Sequence, residues 1–324
     1  MRAVRVTEFG DPEVLVPAEV AEPEPAAGQV LVAVERAGVA FGDVIVRSGG
    51  YPLPLPWIPG LEVGGRVVGL GDGADPALLG QTVVATTVGQ AGGYAELALA
   101  PAMYTFPVPD GLDLEVALTV FQSGAMARGL LAAMSLRPSE TVLVTAAAGR
   151  IGSMLVQTAK AAGARVIGVS SAAKTAAVAE FGADHALDYG SADWADRVRA
   201  LTGGRGVDVV LDAVGGAVAA QAIAAATDGA GRIGLYGFAS GDRAALDALT
   251  VAQRGLSVTG ALGVVIRKSD AEQRADAEQA LAAAVRGELV PRIHARLPLA
   301  AAATAHRELE QRRSVGAVVL VVRP

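Results

Sequence analysis

Cysteine is absent from this chain of 324 residues, and histidine occurs only at His185, His294 and His306. Without cysteine the chain can form no disulfide and offers no thiolate nucleophile. Zinc sites draw chiefly on cysteine and histidine, and the three histidines lack the short spacings of zinc ligands. The sequence therefore predicts a protein that works without a metal, with each histidine at the surface or in a satisfied structural position.

Charged residues are also scarce, at 19% of the chain against 52% hydrophobic residues. The net charge of −6 leaves no basic patch for a nucleic acid backbone or an anionic membrane surface. The long uncharged stretch at residues 76–95 contains four glycines, which argues against a membrane-spanning helix. The chain begins with strand-like alternation at Arg2, Val4 and Val6 instead of a signal peptide. We therefore expect a folded cytoplasmic protein that binds neither nucleic acid nor membrane.

The pattern of predicted secondary structure changes near residue 120. Before that point, strand-like runs alternate with glycine and proline, which predicts an all-β unit; residues 51–59 hold four prolines and should form an irregular loop. After it, strands and helices alternate, which predicts a doubly wound parallel sheet. The length of the chain suits two domains of ordinary size.

A glycine-containing loop follows the predicted strand at residues 141–145. The sequence A-A-A-G-R-I-G at residues 146–152 lies where that strand turns into a helix. Small residues let the backbone approach a pyrophosphate, and the amides that begin the helix point at its charge. The alternative is an ordinary glycine-rich turn, but motif, strand and helix coincide. The loop is therefore predicted to bind a dinucleotide through Ala147, Gly149, Arg150, Ile151 and Gly152.

The end of the next predicted strand carries no acidic residue. Proteins that prefer NAD place Asp or Glu there, about 20 residues beyond the loop, to bind the ribose hydroxyls. This chain has S-S-A-A-K at residues 170–174. Hydroxyls and an ammonium bind a 2′-phosphate that a carboxylate would repel. NADPH is therefore the predicted cofactor; the alternative for Lys174 is a solvated lysine in the first turn of a helix.

Several segments resemble the zinc-free quinone oxidoreductases of the medium-chain dehydrogenase/reductase superfamily, and the likeness extends over nearly the whole chain. The run G-V-A-F-G-D-V-I-V-R-S-G-G-Y-P at residues 38–52 resembles the family's substrate-domain signature, and P-G-L-E-V-G-G-R-V-V-G-L-G at 59–71 resembles the stretch after it. The loop at 146–152 is similar to the family's AAAGGVG. The run D-V-V-L-D-A-V-G-G at 208–216 resembles the segment along which the nicotinamide half of the cofactor passes.

This resemblance implies an α/β protein with a GroES-like β-barrel catalytic domain at residues 1–121. It implies a Rossmann NADPH-binding domain with a doubly wound parallel sheet at 122–260, and a return to the catalytic domain at 261–324. It also implies a site in the cleft between the domains and homodimers formed through Rossmann edge strands. The further residues that it places against the cofactor are Asp43, Met126, Ser170, Lys174, Tyr189, Val214, Gly215, Gly237 and Phe238.

Three positions depart from the family pattern. Ala40 stands where the family usually has asparagine, and Met126 stands where a threonine commonly contacts the cofactor. Both changes make the site less polar, and the identity of the substrate therefore does not follow from the family pattern. Arg150 replaces the second glycine of the loop, where its charge can strengthen pyrophosphate binding, or where it can lie exposed at the surface.

Tyr51 is the predicted catalytic residue. Hydride reduction of a quinone, an enone or an enoyl thioester leaves an anion that needs a proton, and a phenol is an O–H donor near neutral pH. Tyr51 matches the tyrosine implicated as proton donor in related enoyl thioester reductases; the alternative is that it only packs against its loop. Asp43 and Glu62 are predicted to form a polar pair with a structural role. Phe41 and Trp57 are predicted to line an acceptor pocket or to pack in the core.

The expected function is NADPH-dependent, zinc-independent reduction of a small hydrophobic quinone or an α,β-unsaturated carbonyl compound. Two alternatives stay open from the residues. One is an enoyl reductase-like tailoring enzyme of a biosynthetic pathway. The other is a non-catalytic NADPH-binding protein that senses redox state, because the same fold serves many functions.

Overall fold

The computed structural model describes residues 1–323. In chain order its strands are β1 (Arg2–Arg5), β2 (Val16–Glu19), β3 (Gln29–Val39), β4 (Glu62–Leu70), β5 (Thr82–Thr86), β6 (Leu97–Pro101), β7 (Thr105–Pro107), β8 (Thr141–Val144), β9 (Arg165–Ser170), β10 (His185–Asp188), β11 (Val209–Asp212), β12 (Arg232–Leu235), β13 (Ser257–Thr259), β14 (Ile293–Pro298) and β15 (Ala317–Val321). The helices are α1 (Phe41–Arg47), α2 (Leu114–Ala133), α3 (Arg150–Ala161), α4 (Thr175–Glu180), α5 (Trp194–Leu201), α6 (Gly216–Ala224), α7 (Ala248–Arg254), α8 (Ala261–Ile266), α9 (Asp270–Val285) and α10 (Ala302–Glu310).

The chain forms two compact units. The first comprises Met1–Gln122 and the chain from Val290 onward, and the second is Ser123–Leu289. The break near residue 122 lies beside the expected one at 121. The return to the first unit differs: α8 and α9, which follow the expected boundary at 260, belong to the second unit. A helical pattern records which side of a helix is apolar, but it does not record which sheet that side covers.

The first unit is built around β3. This long strand pairs with β4 on one side, while on its other side its beginning pairs with β6 and its end with β15. The seven-stranded sheet runs in the order β14-β15-β3-β4-β5-β7, with β6 added against β3. Alternate residues of β3 point into the core, where Val30, Val32 and Val34 are fully buried.

Helix α1 corrects the prediction of an all-β first third. Its run of Val44, Ile45 and Val46 is typical of a strand. The Asp43 carboxylate accepts a hydrogen bond from the N–H of Ala40 at 3.0 Å and so stabilises the first helical turn. A local side-chain contact therefore overrides a weak β-propensity.

The second unit contains the predicted doubly wound parallel sheet. Its six strands lie in the order β10-β9-β8-β11-β12-β13, so the chain moves outward one way from β8 and then reverses to β11. Leu143, Ile167, Val210 and Ile233 of the four central strands are fully buried. The reversal between β8 and β11 creates the crevice at which such sheets bind ligands, outside the carboxyl ends of the strands.

Helix α2 is long and apolar enough to cross a membrane by length and composition alone. However, 61% of its most apolar window is buried inside the protein, as is typical of the core helix of a soluble protein.

Candidate active site

The turn between β8 and α3 forms the candidate phosphate loop. Ala146 adopts a left-handed conformation with φ of 48°. The N–H of Ala147 donates to the carbonyl of Val169 at 3.0 Å, and the N–H of Gly149 donates to the carbonyl of Ala146 at 2.8 Å. These bonds anchor the loop to β9 and fold it back on itself directly before the helix.

Gly152 lets the helix begin tightly against this loop. A Cβ atom at residue 152 would lie 2.2 Å from the carbonyl oxygen of Ala146, closer than any side chain allows. The first intrahelical bond is made by the N–H of Ser153 to the carbonyl of Gly149, at 2.8 Å, and no side chain caps the helix. The amides of Ile151 and Gly152 precede that bond and lie at the positive end of the helix dipole, an arrangement that binds anions.

The structure thus brings all five predicted loop residues to one turn. Ala147 is fully buried, Gly149 precedes the helix, and Arg150 is its first residue and half-buried. The positive charge of Arg150 therefore lies at the same end of α3 as the amides.

The residues predicted to receive the 2′-phosphate follow two adjacent strands. Ser170 ends β9, and the N–H of Tyr189, just after β10, donates to the Ser170 carbonyl at 3.0 Å. Lys174 ends the short helical turn Ala172–Lys174 that follows β9. Asp188 is the nearby carboxylate in β10, and it accepts the N–H of Gly190 at 2.8 Å. The strand end where NAD-binding proteins carry an acid is therefore occupied by a serine hydroxyl.

The residues predicted at the nicotinamide end also converge. The loop after β12 lies along the loop after β11, because the N–H groups of Ala239 and Ser240 donate to the carbonyls of Ala213 and Val214 at 2.9 and 2.8 Å. Gly215 has φ of 76°, and a Cβ atom there would lie 2.1 Å from the carbonyl oxygen of Asp242.

Gly237 and Phe238 belong to the same pair of loops. A Cβ atom at Gly237 would lie 2.8 Å from the carbonyl oxygen of Ala213, and the side chain of Phe238 is 52% exposed. Val214, Gly215, Gly237 and Phe238 are therefore neighbours at the carboxyl ends of β11 and β12, and their contact with a cofactor stays a prediction.

Asp212 links the end of β8 to the loop after β11, a role that was not among the predictions from the sequence. This fully buried carboxylate accepts hydrogen bonds from the hydroxyl of Thr145 at 2.7 Å and from the N–H groups of Val214 and Gly215 at 3.2 and 2.9 Å. Thr145 lies at the end of β8 beside the phosphate loop. The sequence signal for this role is an acidic residue at the end of an apolar strand, directly before a turn that contains glycine.

The carboxylate of Asp43 is held by hydrogen bonds within the first unit, and its contact with a cofactor stays a prediction. It is 3% exposed, and its oxygens accept the N–H of Ala40 at 3.0 Å, the N–H of Gly60 at 3.2 Å and the hydroxyl of Tyr94 at 3.4 Å. Burial raises the pKa of Asp43 to about 6, and the nearby Glu62 carboxylate adds to the rise while the hydrogen bonds oppose it. Its oxygens face donors of the protein itself.

Asp43 belongs to a buried polar cluster with Tyr94, His306 and Arg47, and Arg47 pairs with the exposed Glu310. The hydroxyl of Tyr94 lies 3.2 Å from Nε2 of His306, and the two rings meet edge to face. Burial lowers the pKa of His306 to about 3, and the positive charge of Arg47 contributes. Arg47, 1% exposed, donates to the carbonyl of Gly10 at 2.6 Å and pairs with Glu310. The cluster ties the N-terminal segment and α1 to α10.

The remaining predicted residues lie in different environments. The side chain of Tyr51 is 66% exposed on the irregular loop, its catalytic role stays a prediction, and Phe41 is 39% exposed. Trp57 is 6% exposed and packs in the core of the first unit. Met126 is half-buried on α2. Among residues 1–323, no group of three or more histidine or acidic side chains could hold a metal ion.

Two family models match the chain. One describes an alcohol dehydrogenase GroES-like domain, at residues 26–110, and the other a zinc-binding dehydrogenase, at residues 151–283. The chain departs from the second description in containing no cysteine. The two matches fall largely within the first unit and the second unit respectively.

Proteins similar to this chain over its whole length carry more specific names. A quinone oxidoreductase of Pseudomonas aeruginosa is 33% identical, with 99% of each chain covered. A 2-haloacrylate reductase of a Burkholderia species is 32% identical over 98% of each. A mycobacterial protein solved in complex with NADPH is 36% identical, with a TM-score of 0.91 over 99% of this chain and all of that one. The two units are therefore a GroES-like domain and a Rossmann domain, and the chain belongs to the quinone oxidoreductase branch of the medium-chain dehydrogenase/reductase superfamily, a family of oxidoreductases.

Proposed function

We propose that this protein binds NADPH and uses it, without zinc, to reduce a quinone or an α,β-unsaturated carbonyl compound in the cytoplasm. The observation that carries the proposal is the phosphate loop at Gly152, followed at the end of β9 by Ser170 instead of an acid. The mycobacterial relative, whose structure contains NADPH, supports the choice of cofactor.

The residues present fit NADPH at three points. The amides of Ile151 and Gly152, together with the Arg150 side chain, suit the pyrophosphate. Ser170, Lys174 and Tyr189 offer two hydroxyls and an ammonium to the 2′-phosphate. The paired loops that contain Val214, Gly215, Gly237 and Phe238 suit the nicotinamide half.

When bound, NADPH supplies a hydride to an electrophilic carbon of the acceptor. The chain's own residues must orient both partners and provide one proton to balance the charge. We assign that proton to the Tyr51 hydroxyl: the O–H bond breaks, the proton passes to the reduced acceptor, and solvent reprotonates the phenolate. The exposure of Tyr51 on a proline-rich loop supports this role, because the same side chain can meet both acceptor and water.

The names of the relatives support both quinones and activated alkenes as acceptors. One relative is named a quinone oxidoreductase, and another is named for reducing a halogenated acrylate, an activated alkene. NADPH oxidation should be followed with a panel of quinones, 2-alkenals, enones and enoyl thioesters. Turnover with one class alone would identify the acceptor, and turnover confined to enoyl thioesters would favour the biosynthetic alternative. NADPH binding without any turnover would overturn the enzymatic part of the proposal.

We further propose that the protein forms a homodimer through β13. This strand ends the parallel sheet, and within residues 1–323 it pairs only with β12. Its Val258 is 36% exposed, and Val264 and Ile266 of α8, which follows it, are 47% and 56% exposed. An apolar edge of this kind is stabilised by pairing with a second copy. Light scattering should give a dimer mass for the protein and a monomer mass for Val258→Asp, whereas Val16→Asp in the first unit should stay dimeric; a monomeric unmodified protein excludes the proposal.

A further inference from the structure

Tyr236 carries a buried hydroxyl without a hydrogen-bond partner. The residue directly follows β12 and is 7% exposed, and its hydroxyl oxygen has no partner among residues 1–323. A buried tyrosine usually places its hydroxyl against a polar group, because removing that group from water without a substitute is costly. Phenylalanine would fill the same space without this cost. The hydroxyl is therefore available to a partner that a ligand supplies.

The position of Tyr236 identifies which part of a ligand is near. Its N–H donates to the carbonyl of Asp212 at 2.9 Å, which fixes it beside the carboxyl end of β11. Gly237 follows at once, and its backbone packs against Ala213 in the paired loops. The pyrophosphate loop and the 2′-phosphate residues follow β8 and β9, so the opposite half of a dinucleotide extends toward β11 and β12.

We infer that the Tyr236 hydroxyl hydrogen-bonds the nicotinamide nucleoside half of the cofactor. This inference rests on the proposed function. The carboxamide and the ribose hydroxyls of that half offer acceptors and donors within one small group. The hydroxyl stays protonated, because burial and the neighbouring Asp212 carboxylate raise the pKa of Tyr236 above its ordinary value. It can therefore donate a hydrogen bond at neutral pH.

The test is Tyr236→Phe, which removes one oxygen and keeps the ring. Dissociation constants should be measured by calorimetry for NADPH and for adenosine 2′,5′-bisphosphate, which contains the adenosine half alone. We expect NADPH to bind about fivefold to tenfold more weakly to the variant, with the bisphosphate unchanged. The melting temperature of the ligand-free variant should equal or exceed that of the unmodified protein, because an unpaired hydroxyl has been removed.

Tyr189→Phe is the matched control, because Tyr189 lies at the adenosine end. It should weaken both ligands together. Unchanged NADPH affinity in Tyr236→Phe would overturn the inference, as would an equal loss for both ligands or a lower melting temperature with normal binding, which would mean that the hydroxyl is bonded within the protein. Failure of the unmodified protein to bind NADPH would instead overturn the proposed function, so the two failures are distinguishable.

Discussion

The hydroxyl of Tyr94 lies 3.2 Å from Nε2 of His306, and both side chains are fully buried. The same hydroxyl donates to the carboxylate of Asp43 at 3.4 Å. Since one hydroxyl proton cannot serve both contacts, the imidazole tautomer that satisfies them carries its proton on Nε2 and donates to Tyr94. The three side chains thus form one directed chain of hydrogen bonds through the core of the first unit.

In this chain of hydrogen bonds, His306 and Asp43 should change the free energy of unfolding in opposite directions when the pH falls. Between pH 7 and 5 the unfolded His306 gains a proton while the folded one, with a pKa of about 3, does not, which lowers the free energy of unfolding by about 2 kcal/mol. Asp43 acts in the opposite sense, because with a pKa of about 6 it gains its proton in the folded state first, which adds about 1 kcal/mol. The two contributions partly cancel in the unmodified protein, which should lose stability modestly on acidification.

Urea unfolding at pH 7 and 5 should separate them. His306→Gln leaves the Asp43 contribution, so this variant should gain stability on acidification relative to the unmodified protein. Asp43→Asn leaves the His306 contribution and should lose stability. Arg47, Glu310 and Glu62 are common to all three proteins and do not alter the comparison. Parallel pH profiles would contradict the assignment.

Lys174→Ala should weaken NADPH binding at least tenfold by removing a charge-assisted contact with the 2′-phosphate, while the affinity for NADH stays constant. Fluorescence titration with both nucleotides measures the difference. Lys160→Ala is the control, because Lys160 already pairs with Asp184 at 2.8 Å in the same unit. An equal loss for both nucleotides would remove Lys174 from the 2′-phosphate site.

Gly152→Ala should distort the phosphate loop, because the added carbon would meet the Ala146 carbonyl at 2.2 Å. We expect about 1–3 kcal/mol of destabilisation and a large loss of NADPH affinity. Gly260→Ala, in the same unit, has open space around the new carbon and should leave both properties unchanged. Normal nucleotide binding by Gly152→Ala would exclude the loop as the pyrophosphate site.

Tyr51→Phe should lower the turnover number about 100-fold if its hydroxyl supplies the proton, with the dissociation constant for NADPH unchanged. Tyr104→Phe, a tyrosine elsewhere in the first unit, should turn over normally. The proton assignment fails if Tyr51→Phe retains the full rate with every acceptor of the panel.

Asp212→Ala should leave the Thr145 hydroxyl and two loop N–H groups buried without an acceptor. The expected loss is about 3–5 kcal/mol in the free energy of unfolding. Asp228→Ala provides the comparison, because Asp228 is 65% exposed where it pairs with Arg254, and exposed pairs contribute little. Similar effects of the two substitutions would show that Asp212 does not stabilise the link between the end of β8 and the loop after β11.

Local order made the turn between β8 and α3 predictable. The strand at β8, the turn with Gly152 and the beginning of α3 are contiguous in the chain, so their pattern alone identifies the loop, and Ser170 and Lys174 lie at a set distance beyond it. The alternation of strands and helices likewise predicts a parallel sheet, because neighbouring elements along the chain become neighbours in space.

Only the tertiary structure showed the side-chain contacts between residues that are far apart in the sequence. Asp43 and Tyr94 are 51 residues apart, and Tyr94 and His306 are 212 apart, so no local pattern distinguishes this buried polar cluster from ordinary surface residues. The same reason explains why the sequence pattern does not show that α8 and α9 belong to the second unit, or that the hydroxyl of Tyr236 is buried. The sequence by itself determined the alternating strands and helices of the second unit and the turn between β8 and α3; burial, pKa and hydrogen-bond partners arise only when the folded chain brings remote side chains together and removes water from between them.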